Sequence, residues 1–204
     1  MYIPKDFEIE KADVIYEFME QNGFAALISN FEDEPVATHL PLILDRENGC
    51  LYGHFAKAND QWRGILDKTV LALFQGPHSY ISPSWYETHK AVPTWNYVSI
   101  HVYGKIVLIT DPEELKKSLT MLVSKYEDAS SPYKMENLPS HYLDGMMKGI
   151  TGFILKIDRM EGKWKLSQNH SADRQLAVAR HLKEIGSENS RAIAELMEKN
   201  AKGV

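Results

Sequence analysis

Between residues 23 and 75 the sequence breaks into short runs that are apolar or alternate apolar with polar side chains: 23–29, 35–44, 50–56 and 69–75. Of the links between them, FEDE at 31–34 is acidic and DRENG at 45–49 carries Asn-Gly. A period of two sends alternate side chains to opposite faces of a strand, and links this short turn the chain back beside itself. Antiparallel pairing of neighbours follows. A doubly wound parallel sheet would need a helical crossover between successive strands, and no regular strand–helix alternation is present.

Helices punctuate this pattern. Residues 12–22 carry Val14, Ile15, Phe18 and Met19 on one stripe, with Asn22-Gly23 as the stop. A short helix is expected at 60–66, capped by Asn59, and a long strand or bent pair at 94–109 through Gly104. The next helix has a clear start, with Asp111 able to cap, Pro112 in the first position and Glu114 completing a capping-box-like pattern. Its stripe of Leu115, Leu119, Leu122, Val123 and Tyr126 should cover one end of a barrel. Residues 128–149 read as a loop with one short helix near 141–148. Runs 152–159 and 163–167 around Glu161-Gly162 read as a hairpin. Two helices close the chain, with Val178, Leu182 and Ile185 on the first and Ile193, Leu196 and Met197 on the second. The expected fold class is α+β, mainly antiparallel β, a barrel decorated with helices. Residues 1–170 would form the barrel domain and 171–204 a helical extension packed on the barrel or on a dimer partner.

Composition narrows the function. In 204 residues, 28 acidic side chains face 23 basic ones, a net charge of −5, so the summed field does not favour nucleic acid. The last two helices, around IGSEN, could pass for a helix-turn-helix. The second carries Glu188, Glu195 and Glu198 against Arg191, Lys199 and Lys202, which suits docking or dimerisation better than a DNA groove. The charged start MYIPKDFEIEKADV, the single Cys50 and the lack of an apolar run near the roughly 20 residues of a membrane span point to a cytoplasmic protein. No GxGxxG, GxxxxGK[ST], HExxH or GxSxG occurs. Neither a metal site nor a catalytic residue is therefore assigned, and Cys50 reads as inert.

One segment is chemically unusual. Residues 74–103 hold Phe74, Tyr80, Trp85, Tyr86, Trp95, Tyr97 and Tyr103, with His78, His89 and His101 interleaved. Such a set suits a wall that grips a planar, partly polar ligand, or an aromatic-rich core. Within it GPHSYISPSWY (76–86) is too rich in Pro and Ser for a regular strand, and its Ser82, Ser84 and Tyr86 hydroxyls would line a site or cap turns.

Taken in order, MYIPKDF, HLPLIL (39–44), GHFAKANDQW (53–62), GPHSYISPSWY (76–86), VPTWNY (92–97), HVYG (101–104) and EGKWKLSQN (161–169) resemble the PaiB family of FMN-binding negative transcriptional regulators. The resemblance implies a split β-barrel of the pyridoxamine-phosphate-oxidase type. It also implies a homodimer with FMN at the subunit interface, and repression of extracellular protease synthesis and sporulation.

The oxidases' RxVL strand is similar to His39-Leu40-Pro41-Leu42, so His39 stands where they have arginine. Their basic loop pair falls at Asn59-Asp60. A dianionic phosphate wants charge-assisted donors, which Lys57 would supply, with Asn59 and helix-start amides as neutral donors. His39 would join them, and His54 would lie near the ribityl chain or ring. Trp95 and Asn96 offer a stacking face and an amide for an isoalloxazine edge. Lys165 and Gln168 fall where the oxidases place a substrate-contacting segment and would complete the pocket from the partner subunit. Each also has a plainer reading: Lys57 as surface charge, Asn59 as a helix cap, His39 and His54 as satisfied barrel histidines.

Three functions follow for test. The first is a regulator whose dimer is tuned by flavin or a related small molecule. The alternative is an FMN-dependent oxidoreductase, since a bound flavin carries redox chemistry itself. Direct DNA binding is disfavoured by charge.

Overall fold

The computed structural model of the chain describes residues 1–86 and 91–202; His89 of the aromatic segment lies outside them. Among the described residues eight strands form one sheet: β1 (Glu8–Ile9), β2 (Phe24–Phe31), β3 (Glu34–Pro41), β4 (Ile43–Asp45), β5 (Cys50–Ala56), β6 (Thr69–Ile81), β7 (Thr94–Leu108) and β8 (Ile150–Lys165). Their order is β3-β2-β6-β7-β8-β5-β4, with β1 paired to β8, and the registered pairings between these strands are antiparallel. The chain divides into two compact units. One comprises Met1–Ile15, Gln75–Ile100 and Glu161–Val204, the other Tyr16–Phe74 and His101–Met160.

In the second unit the expected turns form as their residues dictate. The β2–β3 hairpin registers Phe31 with Glu34 across Glu32-Asp33, which sit at φ 51° and 64°, the left-handed pair of a type I′ turn. In the β4–β5 link, Asn48 N–H and Nδ2 donate to Asp45 at 3.1 and 2.8 Å, and Gly49 takes φ 58°. The run 35–44 is divided at Leu42, whose N–H turns to donate to Gly23 O at 2.8 Å. Helix α3 (Pro112–Tyr126) starts as expected, Asp111 Oδ1 accepting from Glu113 N–H at 3.1 Å. Met121 and Leu122 pack on Ile43, Cys50 and Tyr52, but Tyr126, assigned to the same stripe, is exposed. Helix α4 (Ser140–Lys148) fills the expected position in the following loop.

The first unit holds α5 (Ala172–Ile185) and α6 (Glu188–Ala201), which bury Val178, Leu182, Ile193 and Met197 completely. Gly186 links them at φ 73°, closing α5 with a bond from its N–H to Leu182 O, and Ser187 caps α6. Ile185, expected on the apolar stripe, is exposed.

Two expectations are corrected. The hairpin at Glu161-Gly162 does not form, because β8 runs unbroken through it. Gly162 has no positive φ and pairs with Ile9, and a side chain there would press on Ile15 and Trp164 at 3.3 Å. This glycine serves close packing, not chain reversal. Residues 76–81 do form strand, the second half of β6. Registered pairing of β6 with β2 covers Leu71 to Leu73, so Pro77 lies past the stretch where that side needs a donor. The regular strand ends at Ile81, and Pro83–Tyr86 form a 3₁₀ turn.

Candidate functional site

The sequence-assigned residues fall into two groups, one in each unit. In the second unit two of them, Lys57 and Asn59, lie on the turn from β5 into the short helix α2 (Gln61–Gly64). Asn59 Oδ1 accepts from Gln61 N–H at 3.0 Å, so Asn59 braces the start of α2, and its Nδ2 donates to Thr38 Oγ1 at 2.8 Å. Thr38 Oγ1 donates to Gln61 Oε1 at 2.5 Å. Gln61, 2% exposed, sends Nε2 to Leu27 O (3.1 Å), Ser29 Oγ (2.9 Å) and Val36 O (3.3 Å). A buried amide with both ends bonded pins the turn to the β2–β3 hairpin.

Lys57 is held by its backbone, N–H to Gly149 O at 2.8 Å and O accepting from Trp62 Nε1 at 3.2 Å. Its side chain is exposed and has no hydrogen bond or ion pair with a described residue. Asp60, the carboxylate that the resemblance placed against a phosphate, is paired with Arg63 at 3.2 Å. Lys57 and Arg63 against Asp60 leave this turn one positive charge in excess.

His39 sits one residue from Thr38 on β3 and so on the opposite strand face, stacked on Phe24 with ring centroids 6.1 Å apart. His54 on β5 lines a small cavity with Ile43, Tyr52, Ser118 and Leu122, and burial pushes its imidazole below the ordinary histidine range. Leu40 and Leu42 are core residues. The structure thus joins Asn59 and Lys57 on one turn. His39 and His54 have other neighbours.

In the first unit Trp95 opens β7 with half its surface exposed, flanked by His78 and Tyr80 of β6 at centroid distances of 6.0 and 6.1 Å. Tyr80 meets it edge-on. Lys165, at the end of β8, donates to Trp95 O at 2.6 Å and to Thr94 Oγ1. Burial, and then neighbouring Lys163, lower its pKa.

The strand alternation that turns Trp95 outward turns Asn96 inward. Asn96 is fully buried, its Nδ2 donating to Ser167 Oγ at 3.0 Å and to Met197 Sδ at 3.4 Å. Ser167 also bonds Tyr86 OH at 2.7 Å, and Tyr86 stacks on His170 at 4.3 Å. Gln168 is occupied locally, Oε1 accepting from Leu166 N–H at 2.7 Å and Nε2 donating to Trp164 O at 2.6 Å. The aromatic segment therefore divides into a buried bracing part, Tyr86, and an outward shelf, Trp95 with His78 and Tyr80. Sequence reasoning missed Thr38, Gln61 and Arg63 as site-forming residues. The spacing Asn59-x-Gln61 at the helix start was the available signal.

A family model described as "Putative FMN-binding domain" matches residues 1–159. Protease synthase and sporulation protein PAI 2 of Bacillus subtilis is 39% identical over 206 residues, covering 99% of each chain. Among solved structures, the flavocytochrome Anf3 from Azotobacter vinelandii superposes with a TM-score of 0.62 at 14% identity, over 78% of this chain and 69% of that one. The FAD and heme binding protein from Mycobacterium smegmatis gives 0.56 at 12% identity, over 83% of this chain and 78% of that one. These structural likenesses establish the fold, the split β-barrel that the family resemblance implied. The chain belongs to the FMN-binding family of the PAI 2 (PaiB) type, with FMN as the family's cofactor.

Proposed function

We propose that this protein is an FMN-responsive negative regulator, active as a dimer, that restrains extracellular protease production and sporulation. The observation that carries the reading is the end-to-end match to PAI 2, which covers 99% of both chains. The residues present fit the cofactor. The Lys57 ammonium has no partner among the described residues, and Arg63 offsets the one carboxylate of the turn, so the donor set suits a phosphate dianion. Asn59, fixed by Thr38 and Gln61, positions that turn. Trp95 with Tyr80 offers a face for a planar ring, and Lys165, partly buried and lowered in pKa, is a donor for a ring carbonyl. Leu40 and Leu42, as core residues, and Asn96 and Gln168, as locally bonded amides, belong to the reading as supports within their own units. FMN, when bound, supplies one- and two-electron redox chemistry at its ring.

The net charge of −5 and, among the described residues, the lack of a basic recognition helix favour an indirect action on transcription, through a ligand pool or a protein partner. The test has two arms. Lys57→Ala should weaken FMN binding at least tenfold in a fluorescence titration, and loss of the gene should raise secreted protease and advance sporulation. A host whose protease output ignores the deletion refutes the regulatory role. Unchanged affinity removes Lys57 from the site.

A further inference from the structure

We propose that the cleft between α3 and α4 binds a small organic cation with an apolar body, an alkylammonium. Helix α4 directs Ser140, Leu143, Asp144 and Met147 into the cleft, spaced i, i+3, i+4 and i+7 and so on one face. The first turns of α3 supply Pro112, Glu113 and Lys116 as the facing wall, and the 3₁₀ turn Met135–Asn137 stands between them. The cleft, open to solvent on its charged side, has a volume of about 300 Å³, the lower end of the range for ligand pockets.

Two chemistries line it. Leu138, buried Leu143 and the thioethers of Met135 and Met147 give an apolar floor, and methionine adapts its shape to what lies against it. Three carboxylates, Glu113, Glu136 and Asp144, come from three separate elements, against the single ammonium of Lys116. None of the four makes an ion pair or a side-chain hydrogen bond with a described residue. The lining therefore carries two uncompensated negative charges above an apolar surface. An anion is repelled, and a purely apolar molecule leaves the carboxylates without a counter-charge. An alkylammonium satisfies both, its chain on the floor and its head among the acids. No residue assigned to the flavin lines this cleft, so the inference stands apart from that reading.

The experiment is an NMR titration of isotope-labelled protein with n-hexylammonium chloride, with hexanoate and hexanol as controls. Saturable shifts confined to residues 112–116 and 135–148 are expected with the ammonium, at least tenfold tighter than with either control. The paired variant Glu136→Gln/Asp144→Asn keeps side-chain shape and should weaken hexylammonium at least tenfold, as should raised salt. Absence of saturable shifts, equal binding of hexanoate or hexanol, or an unchanged affinity in the paired variant would overturn the proposal. FMN affinity is not read in this experiment, so its outcome is independent of the flavin site.

Discussion

The amide of Gln61 reaches two backbone carbonyls and two hydroxyls, which belong to β2 and β3. Gln61→Ala removes both ends of the amide at once and leaves Thr38 and the Leu27 carbonyl without that partner in a buried setting. We expect a cost of about 2–3 kcal/mol, read as a lower urea midpoint, together with weaker FMN binding through a loosened Asn59. A midpoint within error of the parent would mean that the network does not hold the turn. Acid should act through the histidines. Burial holds the folded-state pKa of His54 below its ordinary 6.5, and burial likewise lowers that of His101, whose Nδ1 has no hydrogen-bond partner among the described residues. The unfolded chain then takes up these protons first as the pH falls. Stability is fully present above about pH 6.5 and is lost below it, toward the folded-state values. Urea midpoints at pH 7.5 and 5.5 should differ, and by less in His54→Gln. A flat profile contradicts the assignment. Asn96 shows where residue-level reading stops. The sequence marks it as an amide in an aromatic segment, but only its strand phase and the arrival of Ser167 and Met197 decide that it points inward.

At the scale of elements, local chemistry was the readable part. Asp111-Pro112 starts α3 where the capping pattern says, and Glu32-Asp33 and Asn48-Gly49 turn where the sequence puts them. The two corrected strands share one cause, namely that tertiary contact fixes how a glycine or a proline is used before its turn preference can act. Gly162 lies against Ile15, which is far from it in sequence, and Pro77 is admitted to β6 beyond its registered pairing with β2. Gly104, inside the long strand expected there, makes the tightest approach of this kind. A Cβ there would fall 1.9 Å from the backbone carbonyl oxygen of Lys156, and backbone cannot rotate aside as a side chain can. Gly104→Ala must therefore separate the middle of β7 from β8. It should cost about 3 kcal/mol or abolish folding, measured by chemical denaturation. Gly145→Ala, inside α4 with nothing within 4 Å of the added carbon, is the control and should stabilise by up to about 1 kcal/mol. Equal midpoints for the two variants would show that the close approach at Gly104 is not needed.

The molecule as a whole presents large apolar side chains that a small monomer ordinarily covers. Trp95, Tyr80 and Val92 are exposed in one unit and Phe24 in the other. Alternating runs and turn residues were enough to reach an antiparallel fold, and the ordered motif strings reached its family. Which side chains face outward was not legible, because that depends on strand phase and on contacts such as Lys165 with the Trp95 carbonyl, seventy residues apart. The proposed dimer would cover exposed side chains of this kind. Light scattering should then give twice the 23.3 kDa chain mass. FMN at about 100 times its Kd should add about 2.7 kcal/mol of stability, seen as a raised Tm. Trp95→Ala keeps the Lys165 contact, which is to the backbone of residue 95, so the loss it causes reports the ring alone. We expect a protein of unchanged mass and unchanged Tm without flavin, with at least tenfold weaker FMN binding and a correspondingly smaller thermal shift. A monomeric parent protein would remove the dimer from the reading, whereas a Trp95→Ala dimer that holds FMN as tightly as the parent would remove the indole from the flavin face and leave the shelf to Tyr80 and His78.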